Sequence, residues 1–455
     1  MDEVKLPEGW EYSQLLKLGT IVTGKTPSTK DVDNFGGNVP FIKPGDLDKG
    51  GFIIKTSDTL TESGLLTVPK LPVNAIVVTC IGNLGKVGIT TKISATNQQI
   101  NSFICNENLN FKFLYYQICT LKPWLENESS ATTIAIVNKS KFSKAPISIS
   151  SLAEQKIIAD KLDTLLAQVD SAKARLEQIP QILKRFRQAV LVAAVSGHLT
   201  EEWRAQNPEQ TCTKLVSLGD IIIDGPQNGI YKPSSLYGTG HKIVRIDGFY
   251  EGVLCDWNTF KRVQLESSDI EKWSLRDNDI LINRVNSIEY LGKCGLVENL
   301  PEITVFESNI MRITLNSEKA VAKFVTIFLS SVIGLSRLRE NAKLAVNQAS
   351  INQKDVKSCK IELPCISEQT EIVRRVEQLF AYADGIEKQV QNALERVNNL
   401  TQSILAKAFR GELTAQWRAE NPDLISGENS AQALLEKIQQ QRASTKNIKC
   451  SKGNN

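Results

Sequence analysis

Gly19 to Thr26 match the phosphate-binding pattern GxxxxGK[ST] residue for residue. In a working P-loop this pattern links a buried strand to a helix, whose N-terminal amides hold the phosphates. Here the preceding segment, Trp10–Leu18, is amphipathic, and the residues after Thr26 show no helical period. The corresponding segment of the second half, Gly219–Pro226, has no lysine. The pattern therefore favours an ordinary loop, and a P-loop NTPase that uses Gly19–Thr26 is the alternative.

Other catalytic constellations are missing from the sequence. The chain has 2 histidines and 9 cysteines, with no CxxC, HExxH or GxSxG pattern, so we expect neither a metal site nor a hydrolytic site. The loop Asn-Pro-Pro-aromatic of amino-methyltransferases is also absent, because Asn207-Pro208 is followed by Glu209. Free thiols suit a reducing compartment. We predict no catalytic residue and no directly bound cofactor in this chain.

Amide and cationic side chains are concentrated in the loops instead. Asn and Gln can bind adenine edges, Arg and Lys can bind guanine, and lysines and hydroxyls hold phosphates. These residue types make the loops candidates for contacting double-stranded DNA. The candidates in the first half are Lys25, Thr26, Lys43, Asn83, Lys86, Asn97, Gln98, Gln99, Asn138 and Lys139. Those in the second half are Gln227, Asn228, Tyr231, Lys232, Arg245, Asn283, Arg284, Asn286, Asn347 and Gln348.

Bulk charge gives little support for nucleic-acid binding. The net charge of the chain is +4, and residues 1–150 hold 15 lysines, 13 acidic residues and no arginine. Binding to phosphates must therefore come from local patches. Because the first arginine is Arg175, we hypothesise that the first half recognises adenine through Asn and Gln. A first half-site made only of G and C would contradict this.

The elements that must position these loops are two long helices related by an internal repeat. Apolar residues alternate at steps of four and three from Ile158 to Val190, which is the seam of a coiled coil. Adding 214 to each number gives a second seam, from Ile372 to Ile404, without a gap. The same offset relates Glu154-Gln155 to Glu368-Gln369. Such a long period indicates a duplicated module.

Each helix needs a partner to bury its narrow seam, and the nearest partner is its copy. We predict that the two helices, roughly 50 Å long, pack antiparallel; the alternative is that each packs on its own domain. Ser151–Glu154 reads as a capping box at the start of the first helix. Pro180 has Leu394 as its counterpart, so the two helices should differ in straightness.

Short runs of β-branched residues between Gly, Pro and Asn turns predict strand-rich domains outside the helices. We predict an α+β fold in which two such domains are separated by the two antiparallel coiled-coil helices, in a pseudo-two-fold internal repeat. The polar residues 443–455 predict a disordered end. The predicted division is 1–150 (first domain), 151–209 (central helical region), 210–365 (second domain), 366–425 (C-terminal helical region) and 426–455 (helical or disordered tail).

The chain resembles the specificity subunit of type I restriction–modification enzymes over essentially its whole length. The residues that carry the resemblance are Leu6–Trp10, Gly24–Ser28, Phe41–Leu47, Ile147–Gln155, Leu363–Gln369 and the two Gly-x-Leu-Thr-x-x-Trp-Arg-x-x-Asn-Pro endings. The resemblance implies that each domain recognises one half of a bipartite DNA site. The helices would then set the spacer, and half-sites one helical turn apart lie roughly 34 Å apart.

The resemblance also implies partners. Two methyltransferase subunits would bind S-adenosylmethionine and methylate adenine, and ATP- and magnesium-dependent restriction subunits would cleave. The methyltransferases would dock on the helical regions, with Trp203, Arg204, Trp417 and Arg418 as candidate contacts. The N-terminus is no signal peptide and no apolar run approaches 18 residues, so we expect a cytoplasmic protein without a membrane contact. A coiled-coil scaffold without DNA function, and a subunit that serves methylation only, remain alternatives.

Overall fold

The computed structural model describes residues 6–129, 134–345 and 348–451, with side chains described as far as residue 444. Backbone contacts divide the chain into two units. The first unit is Met1–Leu176 with Ala393–Asn455, and the second is Glu177–Asn392. Each unit contains one strand-rich domain and part of each long helix.

The first domain (residues 6–150) is built from short strands and short helices. Its strands are β1 (Glu11–Gln14), β2 (Gly19–Thr23), β3 (Phe35–Ile42), β4 (Phe52–Ile53), β5 (Asp58–Leu60), β6 (Ile76–Thr79), β7 (Val87–Thr90), β8 (Ala95–Thr96), β9 (Ile100–Cys105) and β10 (Pro146–Ile149). Its helices are α1 (Leu15–Leu18), α2 (Glu62–Leu66), α3 (Phe111–Cys119), α4 (Lys122–Glu128) and α5 (Lys139–Ser143).

These strands form a five-stranded sheet in the order β2-β9-β6-β7-β4, a three-stranded sheet β5-β3-β8 and the pair β1-β10. The central strand β6 reads Ile-Val-Val-Thr and is buried on both faces, as its unbroken apolar run requires. Helix α3 covers one face of the larger sheet, where Phe113 joins the core that contains Phe103.

The first strand of that sheet excludes the P-loop alternative. Gly19–Thr23 is strand β2 itself, paired antiparallel with β9, and no α-helix begins within the described residues 24–61. The Lys25 ammonium donates to the backbone oxygen of Thr67 at 3.4 Å. A phosphate cradle needs a helix N-terminus directly after the glycine-rich turn, so this interpretation is wrong.

The first long helix, α6 (Leu152–Val195), is followed by the short helix α7 (Glu201–Gln206) and the second domain (residues 210–365). The strands of this domain are β11 (Lys214–Ser217), β12 (Ile222–Asn228), β13 (Tyr237–Val244), β14 (Phe249–Tyr250), β15 (Gly252–Leu254), β16 (Arg262–Val263), β17 (Ile280–Asn283), β18 (Val285–Asn286), β19 (Cys294–Leu296), β20 (Thr304–Phe306), β21 (Ile310–Leu315), β22 (Lys343–Ala345), β23 (Gln348–Ser350) and β24 (Lys360–Leu363). Its helices are α8 (Ser267–Trp273), α9 (Ala322–Ser330), α10 (Val332–Arg339) and α11 (Gln353–Ser358).

The second domain repeats the sheet order of the first. Its large sheet runs β12-β21-β17-β19-β15-β14, its three-stranded sheet is β16-β13-β20, and β11 pairs with β24. Parallel and antiparallel pairings match position by position, including the parallel pairs β4-β7 and β15-β19. The second domain adds strand β14 and the small sheet β18-β23-β22. The predicted relation between the two halves is therefore present in their topology.

The second long helix, α12 (Ile366–Phe409), leads into α13 (Ala415–Glu420) and α14 (Ala431–Ser451). The long helices begin next to the predicted boundaries at 150 and 365, although the contact units divide each helix in its middle. Helix α6 continues through Pro180. Helix α14 extends to Ser451, and the predicted helical or disordered tail after residue 425 stays a prediction.

Within each unit the segments of α6 and α12 run antiparallel. In the first unit, Ile158 and Leu162 share a core with Ile404 and Ala408. In the second, Val190 and Leu191 share one with Ile372 and Val376. In both units, the N-terminal part of one helix packs against the C-terminal part of the other. This confirms the predicted α+β fold with two strand-rich domains, antiparallel long helices and an internal repeat.

Candidate nucleic-acid interface

In the first domain, the loop of residues 96–99, here called the first hub, gathers most of the candidate segments. It joins β8 to β9, so it lies where the two sheets of the domain meet. Backbone hydrogen bonds attach the loops after β2, β3 and β6 to it: Gly24 N to Ile100 O (3.0 Å), Lys25 N to Thr96 O (2.9 Å), Asn97 N to Ile42 O (3.1 Å) and Cys80 N to Gln99 O (2.8 Å).

Candidate side chains bind one another around the first hub. The Thr26 hydroxyl donates to Gln98 Oε1 at 2.7 Å. The Asn97 amide donates to Gln99 Oε1 at 2.9 Å, and Asn97 is buried while Gln98 is exposed. Lys43, at the end of β3, forms an ion pair of 2.5 Å with Asp58. The first hub therefore presents amides beside a lysine, Lys43, whose charge Asp58 already neutralises.

The other first-domain candidates lie on adjoining loops. Asn138 caps α5 by accepting from Lys141 N at 2.9 Å, and Lys86 forms an ion pair with Asp48. Asn83 and Lys139 are exposed. The chain segment before α5 reaches the hub side of the domain through the hydrogen bond from Val137 N to Cys80 O (2.8 Å).

The second domain has an equivalent loop, residues 306–309, here called the second hub. The same four backbone hydrogen bonds recur there: Gly229 N to Ile310 O (3.0 Å), Ile230 N to Phe306 O (2.9 Å), Glu307 N to Val244 O (3.0 Å) and Arg284 N to Asn309 O (2.9 Å). This equivalence was missed at the sequence level, because the two hub sequences, Thr-Asn-Gln-Gln and Phe-Glu-Ser-Asn, share no residue in register.

A glycine is required at the same place beside each hub. A Cβ on Gly24 would lie 2.1 Å from the Asn97 carbonyl oxygen, and a Cβ on Gly229 would lie 2.2 Å from the Glu307 carbonyl oxygen. Both distances are far inside van der Waals contact. The loops that carry Thr26 and Tyr231 can therefore approach their hubs only through a glycine backbone.

Glu307 organises the second hub, and the sequence offered no signal for it. Its Oε1 accepts a hydrogen bond from Ile246 N at 2.6 Å, and its Oε2 lies 3.6 Å from Arg245 Nε. Burial raises the pKa of the Glu307 carboxyl, an effect that the hydrogen bond from Ile246 and the charge of Arg245 oppose. The carboxyl thereby holds the loop after β13 and the side chain of Arg245.

Four second-domain candidates each bury one polar atom that has no hydrogen-bond partner among the described residues. Buried polar groups are normally satisfied, so unsatisfied ones mark a site that completes its bonding elsewhere, with water or with a ligand. The atoms are Gln227 Oε1, Arg245 Nε, Asn283 Oδ1 and Arg284 Nε. These four residues lie on strands and loops that adjoin the second hub, and the domain has one further such atom among the described residues, Arg312 Nε on β21.

The remaining second-domain candidates differ in exposure and in their partners. Tyr231 is 78% exposed, whereas Lys232 forms a 2.6 Å ion pair with Asp269. Asn228 accepts from Trp273 Nε1 through its backbone oxygen (3.0 Å). Asn286 and Gln348 lie on the added strands β18 and β23, which pair with each other, and Asn347 lies outside the described residues.

The candidate docking residues Arg204 and Arg418 are engaged within the chain. In the first unit, Glu154 is fully buried, and its Oε1 accepts from Thr414 Oγ1 (2.6 Å) and Arg418 Nη1 (2.5 Å). Its Oε2 accepts from Trp10 Nε1 (2.9 Å). We call Trp10, Glu154, Thr414 and Arg418 the first clamp, because they attach the segment after α12 to the start of α6.

The second clamp repeats this arrangement with Glu368, Thr200 and Arg204. Glu368 Oε1 accepts from Thr200 Oγ1 (2.7 Å) and Arg204 Nη1 (2.6 Å). Its Oε2 is buried and has no hydrogen-bond partner among the described residues. The capping-box interpretation of Glu154 is therefore only half right: Ser151 Oγ does accept from Glu154 N at 3.2 Å, but the glutamate side chain belongs to the clamp.

The glutamine after each clamp glutamate attaches the helix to its own domain. Gln155 Oε1 accepts from Asn110 N at 3.0 Å, and Gln369 Oε1 accepts from Val321 N at 2.8 Å. The sequence shows the repeated Glu-Gln pair, but it does not show that the glutamate belongs to the clamp while the glutamine binds the domain. Trp203 and Trp417 are half-buried, and their part in docking stays a prediction.

Among the described residues, no group of three or more His, Cys, Asp or Glu side chains could hold a metal ion. None of the described helices is long and apolar enough to cross a membrane.

The family described as "Type I restriction modification DNA specificity domain" matches this chain twice, at residues 7–181 and 214–396. The chain belongs to this family. Each match contains one hub and the beginning of the long helix that follows it, and the family's second copy begins at the first residue of β11. The internal repeat is therefore a repeat of the family's own domain.

Named members of the family resemble the chain over nearly its whole length. The type I restriction enzyme EcoKI specificity subunit of Escherichia coli K12 is 42% identical over 99% of both chains. The StySPI specificity subunit of Salmonella potsdam is 41% identical over 97% of both.

Solved structures share the fold at low sequence identity. The crystal structure of the HsdS subunit from Thermoanaerobacter tengcongensis is similar with a TM-score of 0.57 at 17% identity, covering 90% of this chain and 99% of that one. A chain from a study of complex assembly in the type I R-M system gives a TM-score of 0.60 at 15% identity, with the same coverage.

Proposed function

We infer that this chain is the sequence-specific DNA-binding specificity subunit of a type I restriction–modification complex. Each domain recognises one half of a bipartite DNA site, and the long helices set the spacer between the halves. The observation that carries this inference is the pair of hubs. The same backbone framework occurs in both copies of the family domain, and it presents a different set of amide and cationic side chains in each.

That combination suits a protein that recognises two different half-sites. A shared backbone fixes where the loops lie, while the side chains on the loops select bases through hydrogen bonds in the major groove. The first hub presents Gln98 and Gln99, with Asn97 buried beside them, whereas Arg245 and Arg284 adjoin the second. Amides pair with adenine and arginines with guanine, so the two domains should prefer different bases.

Catalysis is assigned to the partner subunits. We propose that two methyltransferase subunits, which bind S-adenosylmethionine, dock on the helical regions near the two clamps and methylate adenine. Restriction subunits that use ATP and magnesium join for cleavage, in the cytoplasm. The repeated clamps support two equivalent docking places. A flipped adenine would leave the duplex for the methyltransferase, and the hub loops need only hold the distorted site.

The test is to co-purify the chain with its cognate methyltransferase subunit and then map N6-methyladenine in host DNA at single-molecule resolution. We expect a split motif with a fixed spacer. Exchanging residues 1–150 for those of a relative should change one half of the motif and leave the other half and the spacer intact. A stable complex that methylates no bipartite motif would reduce the chain to a docking scaffold. Methylation without restriction would identify a methylation-only system.

A further inference from the structure

Lys43 and Arg245 occupy equivalent positions in the two domains. Lys43 follows the last residue of β3, and Arg245 follows the last residue of β13. Both strands lie between a parallel and an antiparallel neighbour in their three-stranded sheets. In both, the carbonyl oxygen of the residue before the cation accepts from an amide of the hub. Each domain thus places one cation at the edge of its hub.

The neighbouring strand carries opposite charges in the two domains. In the first domain, Asp58 on β5 pairs with Lys43 at 2.5 Å. The strand register relates Leu60 to Val263, so the counterpart of Asp58 is Lys261, just before β16. At these two positions the first domain therefore has a cation and an acid, whereas the second has two cations, and Arg245 takes its ion-pair partner from the hub, Glu307 at 3.6 Å.

Arg245 and Lys261 line a pocket of about 210 Å³, together with Asp247, Gly248, Thr259 and Phe260. The lining itself carries two cations and one acid, and Glu307, which pairs with Arg245 at 3.6 Å, is not one of the lining residues. Among the described residues, no carboxylate is within 4.0 Å of the Lys261 ammonium, and none accepts a hydrogen bond from the buried Arg245 Nε. The volume is several times the roughly 30 Å³ of one water molecule, which is enough for a tetrahedral oxyanion.

We propose that the pocket between Arg245 and Lys261 binds a backbone phosphate of DNA beside the second half-site, and that the first domain lacks this contact because Asp58 neutralises Lys43. The guanidinium donates in a fixed fork and the ammonium adds a point charge, a combination suited to phosphate. Such a contact contributes affinity and register without selecting bases. The assignment of the phosphate to DNA rests on the proposed function.

The experiment exchanges the charge pattern of the two domains. Lys261→Asp gives the second domain the acid of the first, and Asp58→Lys gives the first domain the cation of the second. Lys354→Asp, an exposed lysine on α11 of the same domain, is the control with the same charge change. Each variant is purified with the methyltransferase subunit, and its affinity is measured against salt concentration. The two probes are a duplex that carries the motif methylated by the wild-type complex and a scrambled duplex.

We expect Lys261→Asp to weaken binding to both duplexes by the same factor. It should also reduce the slope of log affinity against log salt by about one unit, the value for one lost phosphate contact. Asp58→Lys should steepen the slope, and Lys354→Asp should leave it unchanged. The methylated motif should be the same in all variants. Circular dichroism of Lys261→Asp checks that this exposed substitution leaves the fold intact.

A slope that Lys261→Asp leaves at the wild-type value overturns the phosphate assignment. A second variant, Arg245→Gln, gives another test. If it changes the base preference at one position of the motif and leaves the salt slope unchanged, Arg245 recognises a base, and the phosphate assignment is overturned. These outcomes differ from failure of the proposed function, in which the wild-type complex itself methylates no bipartite motif. In that case, ³¹P NMR of inorganic phosphate with the full-length chain still tests the pocket: binding lost in Lys261→Asp supports it, and equal or absent binding overturns it.

Discussion

The two clamps bury the same acid against the same arginine and threonine, yet only the first satisfies both carboxylate oxygens within the described residues. Trp10 supplies the third donor to Glu154, whereas Glu368 Oε2 has no hydrogen-bond partner there. The register of β1 and β11 makes Thr213 the counterpart of Trp10. The comparison shows that the repeat preserves the ion pair, while the environment of each ion pair depends on the domain before it.

The largest expected effect is that of Glu154→Ala. Arg418 is 12% exposed and would keep a nearly buried charge without its partner, a change that costs about 3–5 kcal/mol. Glu368→Ala should cost less, because Arg204 is 25% exposed and can recover water. Hydrogen exchange of α13 in the first variant and of α7 in the second measures the local stability of each clamp.

The matched control is Glu412→Ala, which removes an exposed ion pair with Arg410 and should leave the local stability nearly unchanged, because solvent screens such a pair. Equal loss of protection in α7 and α13 would mean that burial and the indole contribute nothing to the difference between the clamps.

Trp10→Phe is expected to make the first clamp resemble the second. The substitution keeps an aromatic ring against Phe113, whose centroid is 6.0 Å from that of the indole, but it removes the N–H donor. Loss of a hydrogen bond to a charged group costs about 1.5–3 kcal/mol. In a double-mutant cycle with Glu154→Gln, the two substitutions should be strongly non-additive. Additive free energies of unfolding would show that the indole acts through packing alone.

The clamps also show how far the sequence could be interpreted. Period and offset alone predicted the long helices, their pairing and the repeat, because a seam at steps of four and three has few other uses. Glu154 was interpreted as a cap because Ser151 lies three residues earlier, a local pattern that fits. Its arginine partner lies 264 residues away, and nothing in a local pattern identifies such a partner.

The hubs were out of reach for a related reason. The candidate loops were found from their residue types, but the backbone bonds that gather them join residues separated by up to 81 positions, as between Gly229 and Ile310. Residue type also does not predict burial. Asn97 and Asn283 read as solvent-facing loop residues, yet Asn97 is 7% exposed and Asn283 is fully buried. Their side chains help to build the hubs.

Gly24→Ala and Gly229→Ala should each impair one of the two domains and leave the other intact. The added Cβ overlaps a hub carbonyl oxygen in each case, and overpacking of this kind costs about 1–3 kcal/mol. We expect each variant to lose methylation of the motif. Hydrogen exchange should increase only in the hub of the domain that carries the substitution. Gly45→Ala is the control, since its Cβ would meet no atom within 4 Å. Equal disturbance of both hubs by either variant would contradict independent domains.

The smallest expected effect is a pH dependence confined to the second hub, where Glu307 stands in the place of Asn97. Because burial raises the pKa of Glu307 in the folded state, the folded state binds protons more tightly than the unfolded state. Stability of the second hub should therefore decrease as the pH rises through the range between the unfolded and the folded pKa, and increase as the pH falls through it. The first hub, with an amide at this position, should show no such pH dependence. Hydrogen exchange of residues 306–309 and 96–99 across that range measures both, and Glu307→Gln should make the second hub as indifferent to pH as the first. A pH dependence that survives Glu307→Gln would assign it to another group, and the buried glutamate would then differ from Asn97 only in shape.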